Sequence, residues 1–181
     1  MTRPVHACID ADALRHNLTR IRQLAPMSRI MAIVKADAYG HGLQSTCTAL
    51  QDADGFGLLD LEDAIRLRQA GFEQEICLLE GYFSSEEIPE LVRYRVDPVI
   101  HSPWQIDMLE QSAPQGRLSV WLKMDSGMNR LGFSSAQYAA AYSRLSANPR
   151  VEKISIMSHL ANADVPDDTK TRRQLEQFLT A

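Results

Sequence analysis

The stretch Ile30-Met31-Ala32-Ile33-Val34-Lys35-Ala36-Asp37-Ala38-Tyr39-Gly40-His41-Gly42 decides how the rest of the chain is read. Five apolar residues run without a break, and a lysine, a tyrosine and two glycines follow. An apolar run this short and bounded by glycine reads as a buried strand rather than a helix. Lys35 then falls where that strand ends and its loop begins. Burying an ammonium is costly unless it is paired or neutralised. A lysine in such a place either packs its stem and sends its head to water, or sheds its proton and can form a Schiff base with a carbonyl. The stretch alone leaves both open.

Working outward, the chain alternates strands with helices. Val5 to Ile9 has the alternation of a short strand, and Asp12 is placed to cap a helix carrying Leu14, Leu18, Ile21 and Leu24. After Gly42 a helical run reaches Leu50. Strands are expected at 55–59, 76–80, 96–100, 118–124 and 154–157, with Pro98 counting against a regular ladder in the third of these. Helices are expected between them at 60–70, 84–94, 102–111 and 134–147, and last at 169–179; Ser84 and Glu87 have capping-box spacing. Such alternation means βαβ units and a parallel sheet, with six strands from Ile30 onward. A doubly wound sheet would prefer a glycine-rich phosphate turn after its first strand, and Gly40-His41-Gly42 is not one. A barrel gathers its chemistry at the carboxyl ends of several strands. Lys35, Lys123 with Asp125, and Ser158 with His159 stand at such ends, so the expected fold is α/β, a (β/α)8 barrel.

Composition bounds the function. The 181 residues suffice for one sizeable core, and the formal net charge of −4 with no basic run argues against nucleic-acid or membrane-surface binding. Cys8, Cys47 and Cys77 form no CxxC pair and no metal-ligand pattern with the five histidines, so a metal site is not expected and a reducing cytoplasm is the natural compartment. No signal pattern opens the chain and no apolar run approaches membrane-spanning length.

Four places carry candidate chemistry. Lys35 and Tyr39 form the first. The second is the glycine-shaped loop 125–133, where Arg130 can offer a forked donor to an oxygen anion. It follows Lys123, a cation in the otherwise apolar strand Val120-Trp121-Leu122-Lys123-Met124 that needs a partner. The third is Ser158 to Asp164, where His159 just past a strand is either a general acid or base, a ring partner, or a satisfied core histidine. In the fourth, Asp60, Glu62 and Asp63 suit the start of a helix dipole and nothing more. A lysine, an arginine, a tyrosine and a histidine at one barrel mouth would suit an anionic cofactor carrying a carbonyl, and pyridoxal phosphate fits.

The motifs Ala32-Ile33-Val34-Lys35-Ala36-Asp37-Ala38-Tyr39-Gly40-His41-Gly42, Leu122-Lys123-Met124-Asp125-Ser126-Gly127-Met128-Asn129-Arg130-Leu131-Gly132-Phe133 and Ser158-His159-Leu160-Ala161-Asn162-Ala163-Asp164 resemble, in order, those of the alanine racemase family of fold-type-III pyridoxal-phosphate enzymes. The resemblance covers essentially the whole chain. It implies that pyridoxal 5'-phosphate is the cofactor and alanine the substrate, for D-alanine supply to the cell wall or alanine catabolism, with a homodimer as the full-length form. It implies that Lys35 binds the cofactor covalently and is the base for the D-enantiomer. By the same resemblance Tyr39 binds the cofactor phosphate, and Arg130 reaches its phenolic oxygen and the substrate carboxylate. His159 lies beside the pyridine ring, Asp164 lines the substrate entrance, and Lys123 is a candidate for carbamylation, which would turn an awkward cation into an anion able to hold Arg130.

A complete barrel has eight strands and about 250 residues. The expectation is therefore an incomplete barrel of about six βα units over residues 11–181. Residues 1–10 form a strand that would pair with an absent C-terminal β-domain, the family's source of the opposing base. Such a fragment is expected to self-associate through open strand edges and to racemise poorly by itself. The alternative is a non-catalytic pyridoxal-phosphate barrel, or a fragment needing a separate C-terminal half.

Overall fold

Asp10 starts the first regular element: its carboxylate accepts the N–H groups of Asp12 and Ala13, so it caps α1 (Ala11–Leu24) in place of the expected Asp12. In a computed structural model, residues 6–113 and 115–180 are described. The expected strand over residues 1–10 falls partly outside them, and residues 6–10 form no regular element. The chain divides into two units, Met1–Ile76 and Cys77–Ala181.

In the first unit, β1 (Met31–Ile33) leads into α2 (Lys35–Gly40) and α3 (Leu43–Ala49), and β2 (Gly55–Leu58) into α4 (Leu61–Gln69). β1 and β2 pair in parallel, Met31 opposite Gly55 and Ile33 opposite Gly57. Gly55 is required there, because a Cβ would lie 2.9 Å from the Glu75 carbonyl oxygen. β2 is wholly buried, as its apolar run predicts, and Phe56 meets Phe72 edge-on. β1 departs from the expected buried strand. It is only three residues long and Ile33 is 40% exposed. Asp54 fastens the approach to it. It accepts the Ile30 N–H and the Arg22 guanidinium, and these bonds hold its carboxyl below the usual range. Glu62 and Asp63 do lie in the first turn of α4, as the dipole reading expects.

β3 (Glu75–Leu78) crosses the division between the units. The second unit continues with α5 (Glu87–Tyr94), β4 (Val96–Ile100), α6 (Pro103–Gln111), β5 (Leu118–Lys123), α7 (Ser135–Ala147), β6 (Val151–Met157) and α8 (Thr169–Leu179). β5 pairs in parallel with β4 on one side and β6 on the other. Its ladder to β4 involves only Val99 and Ile100, beyond Pro98, where main-chain donors are again present. Ile88, Leu91, Val99, Ile106, Leu109, Leu122 and Leu145 build the core of this unit. β6 begins three residues earlier than its apolar run, and Ile156 is 50% exposed. Ser84 does not cap α5, which starts only at Glu87; the capping box stands instead at Ser134 and Gln137, opening α7.

Candidate functional site

Lys35 follows Val34, which is buried, and opens an unusual segment. Ala36, Asp37, Ala38 and Tyr39 have φ of 52, 54, 53 and 56°, so α2 is a left-handed helical turn. Left-handed backbone costs an L-residue roughly 1–2 kcal/mol, and four in succession are rare. Tertiary contacts must hold the turn. Ala38 is buried, and the Asp37 carboxylate accepts the Leu43 N–H at 2.7 Å, tying the turn to the start of α3. Gly40 and Gly42 complete the reversal at φ of 82 and 87°. Lys35 is thereby half-buried, with Nζ 6.0 Å from the Tyr39 ring centroid. Tyr39 is 60% exposed. Cys47, by contrast, is buried and its thiol is pushed up to about 12, so it has no reactive thiolate.

In the second unit, the end of β5 carries the anomaly expected from the sequence. Lys123 is 6% exposed and enters no salt bridge among the described residues. Burial, then the nearby Arg130 charge, pushes its ammonium below the usual lysine range, against opposing contributions from Cys77, Glu80 and Asp125. The loop that follows is closed on itself. Asp125 N–H donates to the Phe133 carbonyl and Phe133 N–H to that of Lys123, both at 2.9 Å. The Asp125 carboxylate accepts Gly127 N–H at 3.0 Å and Asn129 N–H at 2.9 Å. Gly132 (φ 128°) lets the strands of the loop approach, since a Cβ there would lie 2.5 Å from the Asp125 nitrogen. Arg130 projects from this loop, exposed and without a hydrogen bond or ion pair among the described residues.

His159 is exposed just past β6, and its main-chain carbonyl accepts Gln174 Nε2 at 2.9 Å. Asp164 is exposed in a turn between β6 and α8. Thus Lys35 and Tyr39 are neighbours in one unit, while Lys123 and Arg130 are neighbours in the other, which also holds His159 and Asp164.

Two polar clusters were invisible to sequence reasoning. Gln174, 1% exposed, bonds both site loops of the second unit. Gln105, fully buried, accepts His101 N–H at 2.8 Å and donates to the Glu80 carbonyl at 3.0 Å. His101 Nε2 also donates to that carbonyl at 3.0 Å. Burial lowers the His101 pKa, and Lys123 adds to this, so the imidazole is held neutral more firmly than usual. One glutamine in an otherwise polar or apolar helix gives no sequence signal for either role.

Parallel βα units, with a half-buried lysine after the first strand in one unit and a lysine and an arginine at the end of the fifth in the other, define a class: an α/β protein with cationic side chains at its strand ends. Comparison with known proteins narrows it. The family described as "Alanine racemase, N-terminal domain" matches residues 9–181. Alanine racemases of Shewanella woodyi and Nitrosospira multiformis are each 50% identical to the chain, over 94% and 92% of its length and 48% and 47% of theirs. The crystal structure of the biosynthetic alanine racemase from Pseudomonas aeruginosa has a TM-score of 0.90 at 40% identity, covering 95% of this chain and 48% of that one. The alanine racemase from Acinetobacter baumannii gives 0.85 at 37% identity. The chain belongs to the alanine racemase N-terminal domain family, and its fold is that family's (β/α) barrel, with six strands among the described residues. It spans about half the length of the curated relatives it matches.

Proposed function

We propose that the chain is the cofactor-bearing part of an alanine racemase, interconverting L- and D-alanine with pyridoxal 5'-phosphate. The observation that carries this is that strand-end cations in each unit, Lys35 in the first and Lys123 and Arg130 in the second, lack acceptors of their own. Lys35, Lys123 and Arg130 enter no side-chain hydrogen bond or salt bridge among the described residues. An ammonium, a guanidinium and a phenol suit a ligand bearing a phosphate and a ring oxygen.

When bound, pyridoxal phosphate supplies an electron-withdrawing ring that makes the α-proton of an attached amino acid removable. Lys35 would hold the cofactor and, as a free amine, take or return the proton at Nζ from one face. Tyr39 would donate to the phosphate. Arg130 would donate to the ring oxygen and to the alanine carboxylate, His159 would lie beside the ring, and Asp164 would line the entrance. A carbamate on Lys123 would replace two repelling cations with an anion facing Arg130. Inversion needs a second base on the opposite face; the resemblance assigns it to a C-terminal β-domain, reached across a homodimer. The burial of Cys47 and Cys77 as thiols supports a cytoplasmic enzyme, and among the described residues no helix is long and apolar enough to cross a membrane.

The test is α-proton exchange. The chain is loaded with pyridoxal phosphate in D2O, and loss of the D-alanine α-proton is followed by NMR. The expected result is exchange that Lys35→Ala abolishes, and racemisation on addition of a separately made C-terminal half. No exchange in either mixture would overturn the reading. Cofactor binding with no exchange in any mixture would instead mark a pyridoxal-phosphate holder without turnover.

A further inference from the structure

We propose that Gln174 of α8 is a positioning residue that fixes the loops after β5 and β6 together. The functional part of this inference rests on the reading of Arg130 and His159 as ligand-facing groups. Gln174 is buried, and both ends of its carboxamide are used. Oε1 accepts the Ala161 N–H at 2.9 Å, while Nε2 donates to the His159 carbonyl at 2.9 Å and to Ser126 Oγ at 3.4 Å. These partners dictate the amide's orientation, because an N–H can meet only the oxygen and a carbonyl only the nitrogen.

The network continues in one direction. Ser158 Oγ donates to the Met124 carbonyl at 2.9 Å, so in the 2.7 Å contact between Ser126 and Ser158 the proton comes from Ser126. One side chain thereby joins the end of β5, the loop after it, the end of β6 and the loop that leads to α8. Gly127 lies against the stem of Gln174, where an added Cβ would sit 3.5 Å from Cγ. Asp125 then gathers the N–H groups of Gly127 and Asn129, which presents Arg130 next in sequence. A buried carboxamide is costly unless every polar atom is paired, and a paired network specifies one arrangement where an apolar residue would permit several. Here the specified arrangement is the register of the two loops that carry Arg130 and His159.

Two variants of the whole chain test this, read by amide hydrogen exchange over residues 124–133 and 158–162, with α5 as internal reference, and by pyridoxal-phosphate affinity. Gln174→Leu keeps the bulk and removes all three bonds. Gln174→Glu keeps the acceptor but loses the donors while ionised, and regains one donor when protonated. The leucine variant is expected to speed exchange in both loops about tenfold or more relative to α5, the size of one lost buried hydrogen bond, and to weaken cofactor binding comparably. The glutamate variant is expected to do the same at neutral pH and to recover toward the parent, compared at equal pH, as acid protonates it. Unchanged loop exchange, an equal rise throughout the unit, or a glutamate variant indifferent to pH would each overturn the proposal. If the leucine variant does not fold, the pH reversal of the glutamate variant decides. If the parent chain does not bind pyridoxal phosphate, the functional reading fails, while the exchange data still judge Gln174.

Discussion

Replacing Ala36 by glycine should stabilise this chain, the opposite of what glycine does in an ordinary helix. Ala36 is exposed, so its methyl contributes little packing, and its φ of 52° lies in the left-handed region. Left-handed backbone costs an L-residue roughly 1–2 kcal/mol. Glycine escapes that cost but loses roughly 0.5–1 kcal/mol more backbone entropy on folding. The midpoints of these ranges leave a net gain of roughly 0.75 kcal/mol for Ala36→Gly, on the order of 1.5–3 °C in thermal midpoint at this chain length. The control is Ala140→Gly, an exposed alanine within right-handed α7, which should lower stability by about 1 kcal/mol. Both are read by thermal and denaturant unfolding. If Ala36→Gly destabilised the chain as much as Ala140→Gly, the turn beside Lys35 would not be left-handed and the account of how Lys35 is positioned would fail.

Three further outcomes follow from the second unit. Lys123→Met should raise stability at neutral pH by about 1–3 kcal/mol, because an unpaired buried cation is exchanged for an apolar side chain of similar length, while abolishing or greatly reducing α-proton exchange; urea unfolding and the exchange assay check the two halves. For the unmodified Lys123 amine, burial puts the folded pKa below the unfolded one, so the unfolded state binds more protons between them. Stability should therefore rise with pH through that window up to the ordinary lysine value, a rise that urea midpoints would show flattened in Lys123→Met. Gly132→Ala should cost about 2–4 kcal/mol, since its Cβ would meet the Asp125 nitrogen at 2.5 Å in a backbone conformation L-residues avoid; a change under half a kilocalorie, within the usual range for surface sites, would contradict the described loop.

The alternation of strands and helices was legible because local pattern and tertiary burial agree. Phe56, Leu58, Ile76, Leu78, Leu118, Val120 and Leu122 are apolar in short runs, and all are buried. Lys123 was legible for the converse reason, a charge where the pattern demands an apolar residue. The handedness of the turn after Lys35 was not. Alanine and tyrosine have no left-handed preference, and Asp37 only tolerates it; the turn is imposed by the burial of Ala38 and the bond from Leu43. Capping at Ser84 failed because its hydroxyl accepts the Glu86 N–H in a turn before the helix begins. Gln174 was hidden because its partners His159 and Ser126 lie 15 and 48 residues away in sequence, beyond any helical periodicity.

The central claim is that Lys35 is the residue to which the cofactor attaches. Adding pyridoxal phosphate to the chain, reducing with borohydride and locating the modified lysine by peptide mass tests it most directly. The account predicts label confined to Lys35 and lost in Lys35→Arg. Absence of label, or label spread over surface lysines such as Lys153 and Lys170, would contradict it.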